Sequence, residues 1–323
     1  MSDVDATVAL DEPVRRRRPL RRFGWWLLTI LILLCLYYAV GSWYYFRIGD
    51  DAEFTPPTPI EGGSRTVDML TALIERETTT HTWQPDDPVF MPNGLLIQPA
   101  AFQTGMQAAW ARFSIELEDQ IGRTRGSSAA DPDLTRARGL LNFPPDIWYF
   151  DFSKSFLPTI TSEQNYRAAR EALLSYNQRL AKHEGAVFDA RTDSLANTID
   201  RIALDLGSQS ALIDQHLRET GLNPINFDAD RLFYQVKGRL YAYEMLLREL
   251  GIDFQPVIEQ KNNLQSVWNQ LLDTFKEAGV MRPFFVIDGP PSGALFASHL
   301  AVQGFYVKRV VLQLNEMSEV LRN

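Results

Sequence analysis

The side chains that most often carry out chemistry in proteins are sparse in this sequence. Four histidines stand far apart, and none has the HExxH or Cys/His spacing that builds a zinc site: His81, His183, His216 and His299. His299 shares a helical face with apolar residues, which predicts a packed, hydrogen-bonded histidine. The GxSxG, SxxK and glycine-rich phosphate-binding motifs are also missing. We therefore name no catalytic, cofactor-binding or metal-binding residue, and we expect no cofactor.

Acidic residues form two short groups. Asp228 and Asp230 begin a predicted helix, where carboxylates cap free N–H groups and complement the helix dipole. Glu116, Glu118 and Asp119 lie together on another predicted helix, where charges of this kind usually face water. Two carboxylates that converge from distant helices remain an alternative, because such a pair hydrolyses glycans. Their spacing along the sequence neither excludes this alternative nor favours it.

Two loops are more distinctive than the titratable residues. Residues 143–152, FPPDIWYFDF, combine two prolines with five aromatic candidates for partner contact: Phe143, Trp148, Tyr149, Phe150 and Phe152. Residues 285–293, FVIDGPPSG, provide a second candidate loop with Asp288, Pro290 and Pro291. Rigid aromatic loops make good contact sites, because large rings bury much area at little entropic cost. The same side chains can instead pack beneath the helices, and we weigh that interpretation above partner binding for both loops.

An uncharged run at residues 23–46 dominates the N-terminal part of the chain. A bilayer core of ~30 Å needs ~20 apolar helical residues, so this run is long enough to span. Tryptophan and tyrosine residues at both ends resemble interfacial aromatic belts. The alternative is an export signal cleaved near Gly41, which ends a small-residue sequence. Because the apolar run continues past that site, we predict a retained transmembrane helix.

The charges around this run predict its orientation. Six arginines precede it and Asp50, Asp51 and Glu53 follow it, so residues 1–22 form a basic tail expected in the cytoplasm. The whole chain carries 32 Lys and Arg against 40 Asp and Glu, a net charge of -8. An acidic domain repels phosphate backbones, which excludes nucleic acid as an expected partner.

The rest of the chain divides into a linker and a helical domain. Residues 47–64 are rich in proline and glycine and predict an extended stalk. Residues 65–323 show helical periodicity, with a possible sub-boundary near 141–160. The predicted helices span 65–79, 98–121, 161–185, 193–221, 228–250 and 257–278, and a last helix runs from about Ser292 to the C-terminus. Gly251 is expected to end the helix at 228–250. Residues 122–133 predict a surface loop, and 283–288 a short strand or extended loop. We therefore predict an all-α fold, a multi-helix bundle or layered helical array after one transmembrane helix.

Several of these features occur together in one known family. The arginine-rich tail, the aromatic-ended span, the proline-rich stalk and the segment NFPPDIWYFDFSKSFLP…SEQNYRAAREAL resemble bacterial inner-membrane proteins that form a domain of unknown function. The resemblance extends from Arg15 to nearly the end of the chain. It implies a single-pass protein of the bacterial inner membrane with its main domain in the periplasm. It assigns no activity and no site residues.

These observations favour a binding or scaffolding protein of the bacterial cell envelope. Amphipathic helices on a membrane anchor, without a recognisable catalytic motif, are typical of proteins that act through protein–protein contacts. The partner would be another envelope protein or a second copy of this chain. Two alternatives stay open: an envelope hydrolase that uses convergent carboxylates on a glycan, and a carrier of a hydrophobic ligand such as lipid.

Overall fold

The computed structural model describes residues 18–123, 130–150, 157–219, 227–283, 285–287 and 298–323, with side chains from residue 23 onwards. These ranges contain no strand and ten α-helices: α1 Arg18–Tyr45, α2 Arg65–Glu75, α3 Ile97–Glu116, α4 Pro132–Leu141, α5 Ser162–Ala181, α6 Thr192–Glu219, α7 Phe227–Asp253, α8 Gln255–Gln260, α9 Leu264–Gly279 and α10 His299–Arg322. A π-helical turn extends α2 over Arg76–Thr80, and another extends α3 over Leu117–Ile121. The predicted all-α class with one apolar N-terminal helix is confirmed.

Helix α7 is the centre of the helical domain. It packs against α3 along much of its length and also contacts α2 and α9. Two helix pairs flank this group, because α4 packs on α5 and α6 packs on α10. Most apolar side chains of α7 are buried, and Leu240, Tyr243 and Leu247 are almost inaccessible to solvent.

Glycine allows α3 and α7 to approach each other at backbone distance. A Cβ atom on Gly105 would lie 1.9 Å from the carbonyl oxygen of Gln235, and one on Gly238 would lie 2.0 Å from that of Phe102. Backbone atoms cannot move aside as a flexible side chain can. The two glycines therefore set how closely these central helices pack.

Local capping signals mark the first residues of α5 and α4. Helix α5 begins with a capping box, since Thr161 Oγ1 accepts from the Gln164 N–H and the Gln164 side chain accepts from the Thr161 N–H. Helix α4 begins inside the predicted loop 122–133 and was not predicted. The Asp131 side chain caps it and Pro132 occupies its first turn, which is a recognised start signal.

Some predicted helix bounds were wrong. Helix α7 runs past Gly251 to Asp253, because the glycine makes room for the Trp268 indole rather than ending the helix; a Cβ there would lie 2.5 Å from the indole nitrogen. The helix predicted at 257–278 is instead α8 and α9, separated at Asn263, whose φ is 65°. The predicted last helix is described from His299 onwards, and residues 288–297 lie outside the described residues.

The acids at the end of α3 do not simply face water as predicted. Glu118 is buried and accepts from Thr135 at 2.7 Å and from Arg138 at 2.8 Å. Glu116 is also buried and pairs with Arg112 at 3.3 Å. Glu118 therefore joins α3 to α4, because the arginine and the threonine both belong to α4.

Residues 47–64, predicted to be a stalk, lie against the helical domain. The Arg76 guanidinium donates to the carbonyl oxygen of Gly49 at 2.7 Å, and Arg248 donates to those of Ala52 and Phe54 at 2.9 and 2.5 Å. The Asp68 carboxylate accepts from the Ile60 N–H at 2.9 Å. These bonds hold the segment in place along most of its length.

Candidate functional site

Helix α1 contains the one stretch, Phe23–Tyr45, that is long and apolar enough to cross a membrane among the residues the structure describes. A signal sequence also meets that test of length and composition. The side chains of this stretch are not buried by the rest of the protein. Its last three turns nevertheless contact the helical domain, and these contacts locate the candidate site.

A loop at residues 86–96 lies against this end of α1. Tyr38 donates its hydroxyl to the carbonyl oxygen of Val89 at 2.9 Å, and Ser42 donates to that of Pro92 at 3.2 Å. Gly41 contributes by lacking a side chain, since a Cβ there would lie 2.3 Å from the Pro92 ring. Side chains and close packing therefore attach the loop to the helix.

The predicted aromatic loop lies beside this loop, and its residues have different environments. Phe143 is partly buried and packs on the core. Trp148 is partly buried, and its ring centroid lies 5.5 Å from that of Phe90 in an edge-to-face contact. Tyr149 and Phe150 are 45% and 41% exposed, and Phe152 lies outside the described residues. Packing beneath the helices thus accounts for Phe143, while a contact role for the other side chains stays a prediction.

Several hydrogen bonds fix the aromatic loop to the helices behind it. The buried Ser162 hydroxyl accepts from the Ile147 N–H at 2.9 Å and donates to the Pro144 carbonyl at 2.7 Å. The Trp83 indole donates to the carbonyl of Pro145 at 2.9 Å. Tyr166 donates to the carbonyl of Phe143 at 2.8 Å. These bonds hold the loop at Phe143, Pro144, Pro145 and Ile147, so its aromatic tip is presented on a fixed base.

Between the two loops, α3 and the start of α7 lies a cleft of about 460 Å³. Its lining is polar on several sides and includes Asp87, Asn93, Asp146 and Arg231. The Gln84 side chain also lines it and donates to the carbonyl of Tyr45 at 2.9 Å, which places the cleft next to the end of α1.

Asp87, which lines this cleft, and its buried neighbour Asp86 both have perturbed pKa values. Burial, and then the nearby charge of Asp87, raise the pKa of Asp86 to about 8. Burial raises the pKa of Asp87 to about 6, against the effect of a hydrogen bond from Asn93. A carboxyl that keeps its proton at neutral pH can donate it, so the arrangement is suited to general acid–base chemistry.

The sequence contained a signal for this pair that our prediction did not use. Asp86 and Asp87 lie between Trp83 and Phe90 in a proline-broken segment between two predicted helices. Adjacent carboxylates between aromatic residues are prone to burial, which favours protonation. Within the described residues, no three His, Cys, Asp or Glu side chains are arranged to hold a metal ion.

The second predicted loop is described only in part. Asp288, Pro290 and Pro291 lie outside the described residues. Phe285–Ile287 form no strand; instead the Val286 N–H donates to Asp230 at 2.8 Å and the Ile287 N–H to His299 Nδ1 at 3.1 Å. His299 is therefore the hydrogen-bonded histidine that was predicted, and Asp230 binds this segment in addition to its place in the first turn of α7.

A second exposed apolar surface lies on α10. Val302, Phe305 and Leu312 are 39%, 62% and 69% exposed. Their spacing places them on one side of the helix, opposite buried residues such as Val307 and Leu314. We call these three residues the α10 stripe. Arg309 lies in the same row and pairs with Glu277 of α9 at 3.6 Å.

Comparisons with known proteins found one family model that is similar to part of the chain. No curated protein and no solved structure was found to match it. Residues 87–226, from Asp87 through α6, match the model of a family described as "Uncharacterized protein conserved in bacteria (DUF2333)". The matched range includes the loop at 86–96 from its second residue, the aromatic loop and helices α3 to α6. The predicted resemblance to an uncharacterised bacterial family is thus confirmed for residues 87–226, and that description assigns the family no activity.

Proposed function

We propose that this chain is a membrane-anchored scaffolding protein of the bacterial cell envelope that binds a partner protein through the α10 stripe. Its N-terminal tail lies in the cytoplasm, α1 crosses the inner membrane once, and the helical domain lies in the periplasm. The similarity of residues 87–226 to a bacterial family supports the bacterial setting. The arginine-rich tail and the acids after α1 support the orientation.

The main support for a partner protein is the exposure of large apolar side chains on α10. Phe305 and Leu312 are separated by seven residues, two helical turns, and each exposes about two thirds of its surface. Helices that bind a partner protein commonly do so through apolar side chains at positions i, i+3 and i+7. Anchoring in a membrane raises the local concentration of two such proteins, so modest affinity suffices.

In vivo photocrosslinking tests this proposal. A photoreactive amino acid replaces Phe305 or Leu312 in cells that express the full chain, and Asn315, exposed on another side of α10, provides the matched control. We expect a reproducible adduct with an envelope protein from the two stripe positions and none from Asn315. An adduct between two copies of the chain would identify self-association as the protein contact. If a folded, exported chain gives no protein adduct from either stripe position, the proposal is wrong.

A second candidate function follows from the acids of the cleft. Asp87 and Asp146 line the cleft, and Asp86, buried next to Asp87, keeps its proton to about pH 8. Such a set provides a proton donor and a carboxylate base for the hydrolysis of a glycan. The test is release of reducing ends from purified peptidoglycan by the detergent-solubilised chain. We expect Asp86→Asn to lower the rate by ~10²–10⁴-fold, and a wild-type chain without activity would eliminate this candidate. Carriage of a hydrophobic ligand stays a prediction that no observation favours.

A further inference from the structure

The loop at 86–96 contacts α1 well inside the stretch that is long enough to span a membrane. Tyr38, whose hydroxyl binds the Val89 carbonyl, precedes the end of that stretch, Tyr45, by seven residues. At 1.5 Å per residue this is ~10 Å along the helix axis. Tyrosine side chains on a helix also point toward its N-terminus, further from that end. The tip of the loop therefore lies beside the apolar part of α1, on the membrane side of the residue where the span ends.

The side chains at this tip are apolar and open to the surroundings. Val89 is 69% exposed and Phe90 is 57% exposed. The contact between Phe90 and Trp148 continues the surface to Tyr149, which is 45% exposed. Exposed apolar groups that are contiguous with one another generally mark a contact surface.

We propose that Val89 and Phe90 enter the lipid layer beside α1, with Tyr149 at the level of the lipid headgroups, so that the helical domain lies directly on the membrane surface. Lipid is the expected occupant because the tip adjoins the lipid-facing surface of α1. Aromatic side chains such as tyrosine also favour the headgroup region. The backbone of the loop is also suited to lipid. Carbonyl groups in lipid need hydrogen-bond donors, and the hydroxyls of Tyr38 and Ser42 donate to the carbonyls of Val89 and Pro92.

The segment after α1 keeps the domain close enough for this contact. Asp50 lies only five residues beyond Tyr45, and its carboxylate lies 2.6 Å from the buried ammonium of Lys237 in α7. Gln84 binds the Tyr45 carbonyl directly. With both attachments in place, the domain cannot move far from the end of α1, and the loops remain at the membrane.

The charges near the tip predict which lipids are preferred. Asp87 and Asp146 line the cleft behind the apolar tip, together with Arg231. Acids near a surface are repelled by anionic headgroups, and their repulsion falls off within a Debye length. We therefore expect insertion into zwitterionic phosphatidylcholine and no gain from anionic lipid.

Depth-resolved fluorescence quenching on the full chain tests the inference. The chain has one cysteine, Cys35, which is exposed on α1, so a fluorophore on the wild-type chain reports on the span itself. Single probes are then placed in a Cys35→Ser background by Val89→Cys, Tyr149→Cys or Leu312→Cys. Leu312 is the matched control, because it is 69% exposed, as Val89 is. Each labelled chain is reconstituted into phosphatidylcholine nanodiscs at one chain per disc.

The expected result separates the four probes. Nitroxides on the lipid acyl chains should quench the probes at Cys35 and Val89→Cys, and headgroup nitroxides should quench the one at Tyr149→Cys. Aqueous iodide should quench only the Leu312→Cys probe. If iodide quenches the Val89→Cys probe, or if neither iodide nor lipid nitroxides quench it, the inference is wrong. Lipid quenching at Cys35 in the same experiment would show that the anchor is nevertheless in the membrane. Loss of lipid quenching at Cys35 would overturn both the anchor and this inference.

Discussion

The ammonium of Lys237, at the middle of the central helix α7, lies 2.6 Å from the carboxylate of Asp50, and the two side chains are only 1% and 6% exposed. The same ammonium donates to the carbonyl of Met281 at 2.7 Å, and Arg282 donates to Asp50 from the solvent side. Burial lowers the pKa of Lys237, against the effect of Asp50. This buried pair links the segment after the apolar helix to the core of the domain.

Removal of Asp50 should therefore destabilise the domain. Asp50→Ala leaves a buried ammonium without its counter-ion, and we expect a loss of ~3–5 kcal/mol in the free energy of unfolding. Lys237→Met should cost less, because Asp50 keeps Arg282. The measurement is chemical denaturation of the full chain in detergent, followed by circular dichroism. Lys276→Met, which removes an exposed pair with Glu53, is the control and should change little. Equal stability of Asp50→Ala and wild type would contradict the role of the pair.

Asp86 should make stability depend on pH. Its folded pKa of about 8 lies above the ordinary value of 3.8, so the native state holds a proton that the unfolded state has released. Its contribution is therefore complete below about pH 4 and is lost as the pH rises through about 8. We expect Asp86→Asn, which resembles the protonated acid, to remove a decline on the order of 6 kcal/mol over this range.

Denaturation at a series of pH values measures this effect as the difference between the two chains. Asp193→Asn, at an exposed carboxylate in the first turn of α6, is the control and should keep the wild-type slope. An unchanged slope in Asp86→Asn would show that Asp86 is ionised in the native state.

The close approach of α3 and α7 should make two glycines intolerant of a methyl group. Gly105→Ala and Gly238→Ala each place a Cβ within 2.0 Å of a carbonyl oxygen, and overpacking of this kind costs ~1–3 kcal/mol or more. Gly139→Ala, in α4 with open space around it, should instead stabilise by ~0.5–1 kcal/mol. Thermal denaturation of the three variants checks the prediction, which fails if all three shift the same way.

The Ser162 hydroxyl should hold the aromatic loop in place. Ser162→Ala leaves the Ile147 N–H without its acceptor and the Pro144 carbonyl without its donor, so we expect a loss of ~1–3 kcal/mol. Proteolysis should also become faster within residues 143–150. Ser208→Ala removes an exposed hydroxyl of α6 and should leave both stability and cleavage unchanged. Protection of the loop in Ser162→Ala would show that other contacts are sufficient.

Local patterns predicted the elements that depend on neighbouring residues. The apolar run of α1 and the positions of α5, α6 and α7 follow from the order and periodicity of apolar residues. The start of α4 was equally local, with Asp131 before Pro132, and was missed only because that signal was not used. The helix predicted at 98–121 also matches α3 with its π-helical turn, and Phe102, Met106 and Trp110 form its buried apolar row.

The sequence by itself determined the all-α class, the single apolar span and most helix positions, because these depend on the order of residue types along the chain. Tertiary structure alone decided which distant residues meet. It buried Lys237 against Asp50, joined Glu118 to α4, and placed Phe90 between Trp148 and the end of α1. It also decided that Gly251 makes room for Trp268 instead of ending α7. These outcomes depend on burial and close packing between segments far apart in the chain, and no local pattern encodes a distance between them.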